Sequence, residues 1–127
     1  MKIIINNNSS VPLYEQIKDA IKDNILKNKV KSGDKLPSVR NLSKNLRVSI
    51  LTVKKAYDEL ELEGFIESRQ GLGTFVTSDS LNLKKEEKQK ILEEHLLKAI
   101  EISKEIDLPK KTLVELFEYF YKGDVNE

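Results

Sequence analysis

The sequence contains no cysteine and no tryptophan, and only one methionine, one histidine, three prolines and five glycines. Without thiols there is no disulfide scaffold, no thiolate metal site and no cysteine nucleophile, a composition that suits a reducing compartment. The single histidine, His95, follows Glu93 and Glu94, but consecutive residues point in different directions on a helix and give no metal-ligand spacing. No apolar run approaches the roughly 20 residues needed to span a bilayer, and Met1 to Asn8 lacks the hydrophobic region of a signal peptide. The expected location is therefore the cytoplasm, with no membrane partner. There is no nucleophile arrangement, phosphate loop or cofactor motif. The carboxylate pairs Glu86, Glu87 and Glu93, Glu94 fall on an expected exposed helix face, away from the desolvated surroundings that acid/base chemistry needs. Neither catalysis nor a cofactor nor a metal is expected.

Charge of one sign is also scarce, because the 127 residues carry a net charge of only +1. Its distribution is more informative than its sum. Residues 1–77 hold 13 Lys and Arg against 9 Asp and Glu, a net of +4, whereas residues 78–127 hold 9 against 12, a net of −3. Attraction for phosphate is thus placed on the first part of the chain.

That part contains an organising stretch, Ser38 to Val76. An apolar helical pattern at Val39, Leu42 and Leu46 is followed after a short break by a second at Val53, Ala56, Tyr57 and Leu60. Two short helices joined by a tight turn form a helix-turn-helix. Gly64 ends the second helix, and two short strands, Phe65 onward and Thr74 to Thr77, flank a turn at Gln70, Gly71, Leu72 and Gly73. This is a hairpin, or wing. Ser49 is the expected N-cap of the recognition helix, whose first turns carry Ile50, Leu51, Thr52, Lys54 and Lys55. Behind Lys55 the polar face turns acidic through Asp58, Glu59, Glu61 and Glu63, so only the front of this helix should approach DNA. Arg40, on the polar side of the preceding helix, is a candidate fork donor to DNA.

Upstream, residues 1–11 read as a flexible arm with an apolar tripeptide, Ile3 to Ile5. A helix follows from Pro12 with Leu13, Ile17, Ile21 and Ile25 at intervals of four, Ser10 as a nearby cap, and an end near Lys29. Lys35 and Leu36 are extended before Pro37 and could lie beside the wing as a third strand. Tyr14 and Tyr57 are assigned to the core.

Downstream, residues 78–83 read as a polar linker, and residues 84–123 as a two-helix dimerisation domain. Leu92, Leu96, Ala99, Ser103 and Ile106 repeat along the first helix, which Asp107, Leu108 and Pro109 break. The second carries Leu113, Leu116, Phe117 and Phe120 on one face and ends at Gly123. So much apolar surface is most simply buried on a second copy of the chain. The expected fold class is mainly α with a small β wing: a winged helix-turn-helix over residues 12–77 and a two-helix tail.

The residues Pro12, Leu13, Tyr14, Gln16 and Ile17; Gly33 to Arg40 and Leu42; Val48, Ser49, Thr52, Val53, Ala56, Tyr57, Leu60, Gly64 and Ile66; and Gly71, Gly73, Thr74, Phe75 and Val76 resemble the DNA-binding domain of the GntR family of bacterial transcription regulators. The short helical tail is similar to the YtrA type. The resemblance implies a dimerising tail, usual action as a repressor, and targets that often include ABC transporter genes. It also implies DNA contacts by Arg40, by Ser49, Ile50, Leu51, Thr52 and Lys54, and by Gln70 and Gly71 at the wing tip. Two positions depart from the family pattern: Ile50 stands where arginine is common, and Arg47 where the turn often has glycine. Arg47 therefore either accepts a costly backbone or the turn differs.

Together these readings describe a homodimeric DNA-binding repressor on an inverted-repeat operator in double-stranded DNA. Two alternatives stand beside it, a winged-helix protein-interaction module and a regulator switched by an unidentified small ligand near the tail helices.

Overall fold

In the computed structural model, which describes residues 1–124, the elements follow the order α1 (Leu13–Leu26), α2 (Val39–Leu46), α3 (Ile50–Leu62), β1 (Ile66–Arg69), β2 (Gly73–Val76), α4 (Ser80–Glu105) and α5 (Lys110–Asp124). Two compact units result, Met1–Glu87 and the segment from Lys88 onward, and α4 has residues in both. The architecture is the one expected, mostly helical with a two-stranded antiparallel wing.

The core of the first unit follows from the apolar spacing. Ile17, Ile21 and Ile25 of α1 are fully buried, and they meet Val53, Ala56, Tyr57 and Leu60 of α3, Leu42 of α2, and Phe65, Ile66 and Val76 of the wing. Tyr57 is buried as expected, and its hydroxyl donates to Pro37 O at 2.8 Å. Tyr14 lies at the edge of the core, half-buried. In the wing Ile66 pairs with Val76 and Arg69 with Gly73, and Gly71 at the tip has a φ of 77° that favours glycine. The Lys35–Leu36 segment does lie beside β2, with a bridge from Lys35 to Phe75 and Leu36 N–H donating to Thr74 O.

Four helices end in the same way. Asn28, Arg47, Gly64 and Asp107 each take a positive φ after α1, α2, α3 and α4. The next N–H in each case reaches back five residues: Lys29 to Asn24 O, Val48 to Ser43 O, Phe65 to Leu60 O, and Leu108 to Ser103 O. These bonds satisfy helix-end carbonyls that would otherwise lack a partner. Only one of the four positions is glycine. Arg47, at φ 58° and ψ 44°, thus takes the costly left-handed backbone.

Several boundaries differ from expectation. Residues 1–11 do not form a free arm: Ile3 and Ile5 pack against the core, and Asn24 donates its side-chain amide to Lys2 O at 3.0 Å. Ser10 does not cap α1. Gln16 reaches back instead, accepting from Asn6 N–H and donating to Asn6 O and Val11 O. The stretch 78–83 is no extended linker, because α4 begins at Ser80. Ser80 is buried with its hydroxyl on Thr77 O, and Leu81 and Leu83 pack against the core. Finally, α5 continues through Gly123, which does not take a positive φ and so gives no stop signal there.

Among the described residues of the second unit, α4 and α5 make little contact along their lengths. Leu92, Leu96, Ala99, Ile106, Phe117 and Phe120 are exposed and Leu113 is half-buried. Ser103, by contrast, is buried and bonded to Ile100 O. Among the described residues, no helix is long and apolar enough to cross a membrane.

Candidate nucleic-acid interface

The front of α3 is fixed by its own sequence. Ser49 is extended, accepts a hydrogen bond from Thr52 N–H at 3.0 Å, and lies 2.8 Å from the Thr52 hydroxyl. The cap therefore uses both hydroxyls locally. With Val53, Ala56, Tyr57 and Leu60 turned inward, helical periodicity directs Leu51 straight outward, with Lys54, Lys55 and Asp58 around it. Leu51 is 77 % exposed and Ile50 44 %.

The lysines of α3 are both engaged. Lys54 Nζ is 2.9 Å from Asp58 Oδ2 in an exposed i,i+4 pair, and Lys55 Nζ sits 4.0 Å over the Tyr14 ring of α1. Both nevertheless remain exposed. Arg40 and Lys44 on α2 and Arg47 in the turn are exposed, and among the described residues they make no ion pair. Neither Lys44 nor Arg47 is among the sequence-predicted DNA contacts, Arg47 being marked there only for its backbone, although Lys44 follows Arg40 at the i,i+4 spacing of one helix face.

The acidic back half of α3 holds the frame. Glu61 accepts from both Ser68 N–H and Ser68 Oγ, tying β1 to the helix. Glu59 and Glu63 lie 2.8 and 2.6 Å from Lys18 Nζ, and Glu63 also takes Lys22, which is buried and reaches Glu87. Burial would raise the Glu63 pKa, but the hydrogen bonds from Lys18 and Lys22 outweigh it and hold the carboxyl below its ordinary range. Burial likewise opposes the charge on Lys18, and its bonds to Glu59 and Glu63 raise its pKa in the net. For Tyr57 burial alone raises the phenol.

At the wing tip Gln70 and Gly71 are exposed, as is Leu72. Arg69 is drawn aside, with one guanidinium nitrogen 2.9 Å from Glu67 and its centre 4.3 Å over the Phe75 ring. The first unit thus presents Arg40, the Ser49–Thr52 turn and the Gln70–Gly71 tip at exposed or half-exposed positions. His95 is exposed, and among the described residues no group of three or more His, Cys, Asp or Glu is placed to hold a metal ion.

A capped helix following a tight turn, with a two-stranded hairpin behind it and unpaired cations on the preceding helix, defines a winged helix-turn-helix DNA-binding protein. Residues 13–76 match the model of the bacterial regulatory proteins of the gntR family. The chain belongs to the GntR family of DNA-binding transcription regulators, and within it resembles the YtrA type. The HTH-type transcriptional repressor YtrA of Bacillus subtilis (strain 168) is 43% identical over 98 residues, covering 77% of this chain and 75% of that protein. A GntR family transcriptional regulator from Listeria monocytogenes superposes with a TM-score of 0.70 at 29% identity, over 88% of this chain and 97% of that one. The AraR DNA-binding domain, solved in complex with operator ORX1, superposes with a TM-score of 0.54 at 31% identity, over 61% of this chain and 96% of that one. The family and these relatives are regulators rather than enzymes.

Proposed function

We propose that the protein is a homodimeric cytoplasmic repressor that binds an inverted-repeat operator, with the tail joining two copies. The observation that carries the dimer is the exposed apolar surface of α4 and α5: Leu92, Leu96, Phe117 and Phe120 are each more than half exposed. Helices that make so little contact along their lengths among the described residues leave this surface to water unless a second copy covers it. A symmetric dimer reads a symmetric site, and the second half-site binds as an intramolecular event that raises operator affinity without new contacts.

In each subunit the turn from Ser49 to Thr52 enters one major groove. Arg40, Lys44 and Arg47 meet phosphates, and the Gln70–Gly71 tip approaches the backbone beside it. Repression is supported by the likeness to the B. subtilis YtrA repressor. Targets among ABC transporter genes are supported by the YtrA-type resemblance, and searching upstream regions with the selected operator checks them.

The experiment is sedimentation of the purified chain and of Leu96→Glu and Phe117→Glu, paired with operator titrations. Wild type should sediment as a dimer, and each charged variant should become monomeric and lose operator affinity together. A monomeric wild type, or a charged variant that stays dimeric, would refute the role given to the tail.

A further inference from the structure

We propose that Leu51, with Ile50 beside it, reads thymine 5-methyl groups in the operator, so that the first turn of α3 specifies sequence by apolar contact. The inference rests on the DNA-regulator reading and names the chemistry by which that same surface selects bases.

The side chains at the front of α3 differ in how much they have left to offer a base. Ser49 and Thr52 are committed first to the cap, Ser49 Oγ accepting from Thr52 N–H and sharing one hydrogen bond with the Thr52 hydroxyl, which leaves a single hydroxyl proton between them for DNA. Lys54 is held by Asp58, and Lys55 lies over the Tyr14 ring. The side chain pointing straight outward is Leu51, 77 % exposed, and the next is Ile50 at 44 %. Neither makes a hydrogen bond. In the major groove the one apolar feature of a base edge is the C5-methyl of thymine, and guanine, adenine and cytosine present donors and acceptors that an isoleucine or leucine leaves unmatched. Placing these two side chains against guanine or cytosine would desolvate polar edges without return. Against thymine they bury a methyl. The resulting preference favours operators with thymine at the bases beneath the start of α3, while Arg40, Lys44 and Arg47 supply sequence-independent attraction.

The test replaces each operator thymine, one at a time, by deoxyuridine, which pairs identically but lacks the methyl. Affinity is measured at about 150 mM salt for wild type, Leu51→Ala and Ile50→Ala. Both residues are exposed and alanine favours a helix, so the variants should fold. One or two thymines per half-site should cost about threefold to fourfold on demethylation, the scale of burying a single methylene. The same replacement should cost nothing in Leu51→Ala, the coupling that identifies direct contact. Selective binding that is unchanged on every uracil duplex, or a preference at one and the same thymine that survives undiminished in both alanine variants, would overturn the methyl reading alone. Absence of any sequence-selective binding would overturn the DNA-regulator reading as well.

Discussion

Lys55 Nζ of the recognition helix lies 4.0 Å over the ring of Tyr14 on α1. This contact separates two kinds of cation near the proposed DNA surface. Lys55 is held by an aromatic face, whereas Arg40 and Lys44 make no ion pair among the described residues. Each phosphate neutralised by a side chain releases counterions and steepens the salt dependence. Arg40→Ala and Lys44→Ala should each reduce the slope of log affinity against log salt by about 0.9. Lys55→Ala should leave the slope unchanged and lower stability by about 0.5–1 kcal/mol, the worth of an exposed cation–π contact. Binding isotherms at several salt concentrations, with thermal unfolding of the free protein, measure both.

The Lys18–Glu63 pair predicts acid sensitivity. Glu63 is held below its ordinary value of 4.5, so its stabilisation is complete above that pH and is lost as pH falls through the lower folded value. Lys18 is raised above 10.5, so its contribution is complete below that pH and is lost only as pH rises through the still higher folded value. The pair therefore stabilises evenly between the two. Glu63→Gln should cost about 1–3 kcal/mol at neutral pH, less than a fully buried pair because Glu63 is 35 % exposed. The variant should also lose part of the wild-type drop in unfolding temperature below pH 4.5. Parallel pH profiles for the two proteins would contradict the assignment.

Arg47 predicts effects of opposite sign on folding and binding. Its φ of 58° costs an L-residue energy that glycine does not pay, offset in part by the greater freedom of glycine in the unfolded chain. Arg47→Gly should stabilise the protein by about 0.5 kcal/mol while weakening DNA binding through the lost phosphate contact. Thermal unfolding and operator titration of one sample measure both signs.

What the sequence disclosed follows from range. The stripe Ile17, Ile21, Ile25, the helix-turn-helix spacing and the glycine-bearing wing are local patterns, and each reappears in the structure with its core face intact. The Ser49 cap also appears, since its partner Thr52 is three residues away. Contacts across the fold were not legible. Lys55 and Tyr14 are far apart in the chain, as are Lys22 and Glu87, so nothing local shows that one lysine lies over an aromatic ring or that the other is buried. Ser78 to Leu83 read as polar because Ser80 and Asn82 are polar, yet Leu81 and Leu83 alternate with them and carry the start of α4 onto the core. Left-handed helix ends at Asn28, Arg47 and Asp107 lacked their usual signal, glycine.

The most direct test of the central claim is selection of bound duplexes from a random DNA pool by the purified protein at about 150 mM salt, where purely electrostatic binding is suppressed. The account predicts recovery of an inverted repeat whose half-sites carry thymine at the positions lost on Leu51→Ala. Recovery of a single unpaired half-site, or of nothing beyond the input pool, would contradict a symmetric dimer that reads sequence through the front of α3.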